Sequence, residues 1–261
     1  MDEDIRGRVA LICGASRGLG WACAQKLSED GVAVILLSRN KVLLAERVKE
    51  LKSRGRDAEF IAADLSKING LPSIVERADS FWGKVDILVN NAGGPPSGPS
   101  LSFKPAVWEH AFRQNFLSAE ELTKFLIPRM AERGWGRIIN LTSITVKQPV
   151  ENLVLSNSIR MAVIGWAKTL SLEFAHLGVT VNNIATGYTL TERINELATV
   201  KAEQSGKSVG EVINSMAANI PMKRMAKPEE IASAVAFLAG DSAGYITGVT
   251  LPVDGGYILG M

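Results

Sequence analysis

The 261-residue sequence is short of the residues that mark the specialised protein classes. Its two cysteines, Cys13 and Cys23, stand in neither a Cys-x-x-Cys nor a metal-ligand spacing, so no disulfide framework and no metal site is expected. No apolar run approaches the ~20 residues of a membrane span. Charge of one sign is missing too: 29 basic residues against 27 acidic ones leave +2. With no basic run and no aromatic–basic interleaving, nothing favours nucleic acid. The start, "MDEDIRGRVALICG", has acids where a secretory signal needs bases. A cytoplasmic protein is expected. There is also no Pro/Ser-rich linker, composition shift or repeat, which makes residues 1–261 a single domain.

What is present is alternation. Short apolar runs ("RVALIC", "VAVILLS", "AEFIAA", "VDILVN", "GRIINLT", "VTVNNIA", "ITGVTLPV") are each followed by a longer segment, most of them with helical spacing. Continuous rather than alternating apolar strands imply burial on both faces, hence a parallel sheet. Strand and helix alternating along the whole length predict an α/β fold, a doubly wound Rossmann-type sheet with helices on both faces. Two stretches interrupt it: a Gly/Pro loop over 93–103, and a polar helical segment over 191–222 with a break at "SGKSVG". The second follows a strand, where ligands bind in such sheets, so it reads as a substrate lid or as a decoration without a role.

"CGASRGLG" follows the first strand and opens a helix, with Gly14, Gly18 and Gly20 spaced G-x3-G-x-G. Glycines there let the backbone approach a pyrophosphate seated on the helix N-terminus. The candidate cradle is Gly14, Ser16, Arg17, Gly18, Leu19 and Gly20. The second strand ends in Ser38 and Arg39, with no acid for the ribose 2′-hydroxyl of NAD. Arg17 and Arg39 near the ribose suit a 2′-phosphate, which selects NADP(H).

Together with "ADL" at Asp64, "NNAG" at Asn90 to Gly93, Asn115, Ser143, "GYTLT" at Gly187 to Thr191 and "PVDGG", this turn resembles the short-chain dehydrogenase/reductase family, near its 3-oxoacyl-carrier-protein reductase-like branch. The resemblance runs over residues 5 to 257. It implies that Asp64, with Leu65 beside it, contacts the adenine, unless Asp64 only caps the next helix. Asn91, Ala92 and Gly93 would support the adenosine side. Asn115 would kink its helix and hold a water of a proton relay. Gly187, Thr189 and Thr191 would meet the nicotinamide end. It also implies a homotetramer assembled through the helices holding Trp108 to Arg129 and Ser158 to Ala175. Phe112, Phe116 and Leu122 fit such an interface, and core packing fits them equally.

The resemblance breaks at one place. The family's tyrosine, thirteen residues after its serine, exchanges a proton with the substrate oxygen. A lysine four residues later lowers that tyrosine's pKa. Here Ser143 is present, but the next two positions are Ser156 and Arg160, and the first tyrosine of the chain is Tyr188. A serine is a far weaker acid than a phenol, and arginine, with a pKa above ~12, cannot relay a proton. Arg160 can still hydrogen-bond the ribose or stabilise an alkoxide. Three substitutes for the donor are open: Tyr188, Lys147 through water, or a water held by Ser143, Ser156 and Arg160. His110 reads as a helix-surface residue, and His176 as part of a helix end. Cys13 and Thr186, where the family has Thr and Pro, predict a weaker hold on the fourth-strand turn and a looser approach to the lid. The expected activity is NADP(H)-dependent interconversion of a small-molecule carbonyl and alcohol. A silent NADP(H)-binding homologue and a non-redox reaction in the same pocket are the alternatives.

Overall fold

The computed structural model describes residues 5–260; the acidic start, residues 1–4, lies outside them. All seven apolar runs contribute strands: β1 (Val9–Cys13), β2 (Ala33–Ser38), β3 (Ala58–Ala62), β4 (Ile87–Asn90), β5 (Gly136–Leu141), β6 (Val179–Thr186) and β7 (Thr250–Val253). They form one sheet in the order β3-β2-β1-β4-β5-β6-β7, and every pairing is parallel. The helices follow as α1 (Gly18–Glu29), α2 (Lys41–Ser53), α3 (Leu71–Trp82), α4 (Pro105–Phe112), α5 (Ser118–Glu132), α6 (Val154–Phe174), α7 (Glu192–Ser205), α8 (Val209–Ala218) and α9 (Pro228–Ala239).

The strands' Val, Ile and Leu side chains point alternately to two separate cores. Ile12, Val34, Leu36 and Val89 meet α1, α2 and α9 on one face. Leu11, Ile35, Leu37 and Leu88 meet α3, α5 and α6 on the other. Leu122 is fully buried in this second core, so core packing, and not an interface, explains it. Phe112 stays partly exposed and stacks on Phe116 at 4.8 Å. No helix among the described residues is long and apolar enough to cross a membrane.

A polar row crosses this apolar sheet. Asn90, Asn140 and Asn183 occupy paired register positions on β4, β5 and β6. Asn90 Nδ2 donates to Asn140 Oδ1 at 2.9 Å, and Asn140 Nδ2 donates to Asn183 Oδ1 at 2.9 Å. Asn183 Nδ2 ends the row on the Val249 carbonyl and Thr250 Oγ1. Removing the middle amide strands a buried donor and a buried acceptor, each worth roughly 1–3 kcal/mol. An Asn140→Leu variant is expected to lose roughly 2–6 kcal/mol of stability in urea denaturation; a loss under about 1 kcal/mol would show that the row carries no weight.

Both interruptions of the alternation are visible. Residues 93–103 form a loop whose one bridge pairs Gly98 with Leu153. The polar segment folds as α7 and α8, broken at the left-handed Gly206 and restarted by a Ser208–Glu211 capping box. These two helices share a small core of their own, built on Ile194, Ala198, Val212 and Met216. The sheet order reverses between β1 and β4, and ligands bind beyond the strand ends at such a point.

Candidate active site

A cleft of about 780 Å³ opens there, between the strand ends and the α7 segment. That volume suits a ligand of cofactor size. Every candidate site residue predicted from the sequence lines it except Gly20, Asn115 and Lys147.

At one end lies the glycine turn. Gly14 and Gly18 take φ of +61° and +57°, a region that glycine adopts without strain. A Cβ at Gly14 would lie 2.6 Å from the Asn91 carbonyl oxygen, and one at Gly20 would lie 2.4 Å from the Gly14 oxygen. Gly20 therefore sits behind the turn and lets α1 pack against it. The α1 N-cap, Arg17, makes no side-chain capping bond, so the helix's first amides are left for an anion. Ser38 Oγ is buried without a protein partner, and Arg39 is exposed at the same wall with no ion pair among the described residues. These groups fit a dinucleotide with an extra phosphate. Arg17 lines the same cleft and is paired with Glu192 of α7 at its exposed rim.

Asp64 accepts from the amide and hydroxyl of Ser66 at 3.0 and 2.8 Å. It closes a local turn and does not cap α3, whose N-cap is Gly70. Partial burial pushes the Asp64 carboxyl up, but the Ser66 bonds and the Arg39 and Lys67 charges outweigh it and hold it low. The fourth-strand turn is held despite Cys13: Asn91 Nδ2 donates to the Cys13 carbonyl at 3.4 Å, and Gln114 Nε2 donates to the Ala92 carbonyl at 2.8 Å. Burial, offset in part by an Asn91 backbone bond, pushes the Cys13 thiol up to about 12, so it stays protonated. Thr186 also corrects an expectation. It extends β6 and donates to the Thr142 carbonyl at 2.9 Å, so the approach to α7 is held and not loosened.

At the other end the cleft is lined by three hydroxyl side chains, Ser143, Thr145 and Ser156. Ser143 Oγ accepts from the Thr145 amide at 3.2 Å, and Thr145 Oγ1 lies 3.2 Å from Ser156 Oγ. Ser156 and Arg160 are one turn apart on α6 and so share a face. The Arg160 guanidinium donates to the Leu141 carbonyl at 2.7 Å and the Gly93 carbonyl at 3.2 Å, tying β5 to the β4 loop. Burial, and then the Arg193 charge, bring it down to about 10, still protonated at neutral pH.

Of the alternative proton donors, Lys147 is exposed and outside the cleft lining. Tyr188 lines the cleft, but its ring packs edge-on against Tyr257 at 5.3 Å. Burial and then Tyr257 push that phenol above its ordinary value, which weakens it as an acid. Asn115 lies in a π-helical turn, Arg113–Leu117, between α4 and α5. It lines a separate cavity of about 20 Å³ with Asn90, Asn140 and Arg160, enough for one water. His110 is exposed as expected, and His176 lies in the turn after α6.

Thr189 donates to the Gly187 carbonyl and Thr191 to the Thr189 carbonyl. Thr191 occupies the α7 N-cap position without a side-chain capping bond. Thr145, Gln114 and Arg193 line the cleft and were not foreseen. Thr145 had a faint signal in its hydroxyl two residues past Ser143; the other two had none.

Comparison with known proteins agrees with this geometry. The family model described as enoyl-(acyl carrier protein) reductase matches residues 14–258. An acetoacetyl-CoA reductase of Allochromatium vinosum is 34% identical over 97% of this chain and 99% of its own. A 3-oxoacyl-[acyl-carrier-protein] reductase of Staphylococcus epidermidis is 34% identical over 95% and 97%. The solved L-sorbose reductase of Gluconobacter frateurii, complexed with NADPH and L-sorbose, superposes with a TM-score of 0.94 at 32% identity over the whole of both chains. The chain belongs to the short-chain dehydrogenase/reductase family.

Proposed function

We propose that this chain is an NADP(H)-dependent reductase of carbonyl compounds, 3-oxoacyl reductase-like, in which Ser143, Ser156 and Arg160 stand in for the usual proton-transfer pair. The observation that carries the reading is spatial. One cleft joins the glycine turn and Arg39 at one end to the three hydroxyls and Arg160 at the other. NADPH in that cleft would supply a hydride to a carbonyl carbon.

The chain's own groups do the rest. Ser143 and Ser156 orient the carbonyl oxygen by hydrogen bonds. Arg160, held by two backbone carbonyls, presents a fixed cation to the negative charge that grows on that oxygen. It stays protonated at neutral pH, and the proton comes from a water held among Ser143, Ser156 and Arg160. Without a matched general acid the rate falls by ~10²–10⁴, roughly 3–5 kcal/mol of barrier.

The test is NADPH binding by fluorescence, followed by NADPH oxidation against a broad carbonyl panel. Binding with turnover supports the reading; binding without turnover on any compound means a silent cofactor-binding homologue. Arg39→Asp is expected to weaken NADPH by about 10–100-fold while leaving NADH within about twofold, the loss of one charge-assisted contact. Equal weakening of both coenzymes would show that Arg39 does not meet a 2′-phosphate.

A further inference from the structure

We infer that the substrate is a carbonyl compound bearing a carboxylate, whose counter-charge is Arg193, beside the Arg160 that faces the carbonyl oxygen. The inference rests on the reductase reading for the placing of the carbonyl, and on the geometry of one loop for the placing of the anion.

Arg193 Nη2 donates to the Pro95 carbonyl at 2.7 Å, and Arg160 Nη2 donates to the Gly93 carbonyl at 3.2 Å. Between them lies Gly94, where a Cβ would come within 2.9 Å of Arg193 Nε. One guanidinium from α7 and one from α6 are thus fastened to the same three-residue stretch of the β4 loop, and both line the cleft. They are close enough for the Arg193 charge to lower the pKa of Arg160.

Two cations brought together and half-buried repel each other unless an anion joins them. The protein supplies only a weak one, Glu196. The cleft's carboxylates are Asp64, Glu192 and Glu196. Asp64 is held by Ser66 at the far wall, and Glu192 by Arg17. Glu196 meets only Arg193, at 3.2 Å, in an i,i+3 pair whose acid is half exposed, an arrangement of little strength. Arg160 has no carboxylate partner among the described residues, and its Nε is buried without a protein acceptor.

Two sources could supply the anion: the cofactor's phosphates and the substrate. The phosphates have their own donors in the α1 amides and Arg39, at the other end of the cleft. Arg160 stands one turn from Ser156, in the hydroxyl end. A carboxylate on Arg193 leaves the carbonyl of the same molecule facing Ser143, Ser156 and Arg160.

The experiment is calorimetric titration of the protein saturated with NADP⁺, which binds without turnover, using 4-oxopentanoate and its methyl ester. The acid is expected to bind at least about 10-fold tighter than the ester, the scale of one charge-assisted contact. Arg193→Gln should abolish that preference, Arg193→Lys should keep part of it, and both should hold NADP⁺ within about twofold of the wild type. The inference fails if acid and ester bind alike, if neither binds, or if Arg193→Gln weakens NADP⁺ as much as the acid. The last result would assign the arginine to the cofactor's phosphate. Absence of NADP⁺ binding would overturn the reductase reading alone, because the acid–ester comparison on the protein by itself still decides this one.

Discussion

Replacing Ser156 with Tyr and Arg160 with Lys together will raise NADPH-dependent carbonyl reduction by about 10²–10⁴-fold over the wild type, the usual worth of a matched general acid. The two positions are one turn apart on α6, and both line the cleft. A phenol at 156 would extend from beside Ser143 and Thr145 into open cleft, over the ground a substrate oxygen must occupy. A lysine at 160 can give up the arginine's two-carbonyl tie and hold the phenol's pKa down as a compact cation. The pair is needed: Ser156→Tyr alone leaves Arg160 tied to Leu141 and Gly93 and should recover only part of the gain. Steady-state kcat on one shared carbonyl compound checks this. No gain by the double variant, with NADPH affinity intact, would mean that proton transfer does not limit this site. The wild type would then work through another donor.

The second large effect comes from a residue that never touches the cleft. Gly20→Ala is expected to lose about 1–3 kcal/mol of stability, the cost of overpacking, and at least about 100-fold of NADPH affinity, roughly 2.7 kcal/mol. Its Cβ would lie 2.4 Å from the Gly14 oxygen, 2.7 Å from the Gly14 carbonyl carbon and 2.8 Å from the Cys13 oxygen. All three are backbone atoms that no rotamer can move, so the turn that cradles the pyrophosphate must shift. Gly18→Ala is the control. It has a positive φ, but its nearest neighbour is Thr191 Cγ2 at 3.7 Å, so it should cost only about 1 kcal/mol of strain and a smaller loss of affinity. Thermal unfolding and a fluorescence titration of NADPH separate the two variants; equal behaviour would show that strain, and not the close packing of α1, governs the turn.

The fold was legible because burial on both faces writes the same signal into every strand. All seven runs paired as read, although the last strand is only Thr250–Val253, the second half of "ITGVTLPV". The Gly206 break in the α7 segment was legible for a local reason, the chain's need for a left-handed residue at a helix end. The cleft's lining was legible where glycines and strand ends place residues through the backbone.

What escaped were side-chain choices between distant partners. Arg17 reads as a phosphate ligand; its pairing with Glu192, 175 residues away, had no local signal. Tyr188 reads as a spare phenol beside Gly187, yet it turns to Tyr257. Arg193 and Gln114 carried no motif, because their roles depend on a loop that other elements deliver to them. Thr186 was read from the loss of a proline ring; its hydroxyl found a new partner that the ring could never have had.

The asparagine row bears on how the chain finds its fold. A parallel sheet of near-uniform Val, Ile and Leu offers many ways to mispair, because one apolar side chain fits against another almost as well as the next. The row removes that freedom in the middle of the sheet. Sliding β5 by one residue against β4 or β6 flips its amide to the other face. Two or more amides would then be buried with nothing to bond to, at roughly 1–3 kcal/mol each. The three asparagines thus act as a key cut into an otherwise featureless surface. They hold the strand ends, and with them the two halves of the cleft, level with each other.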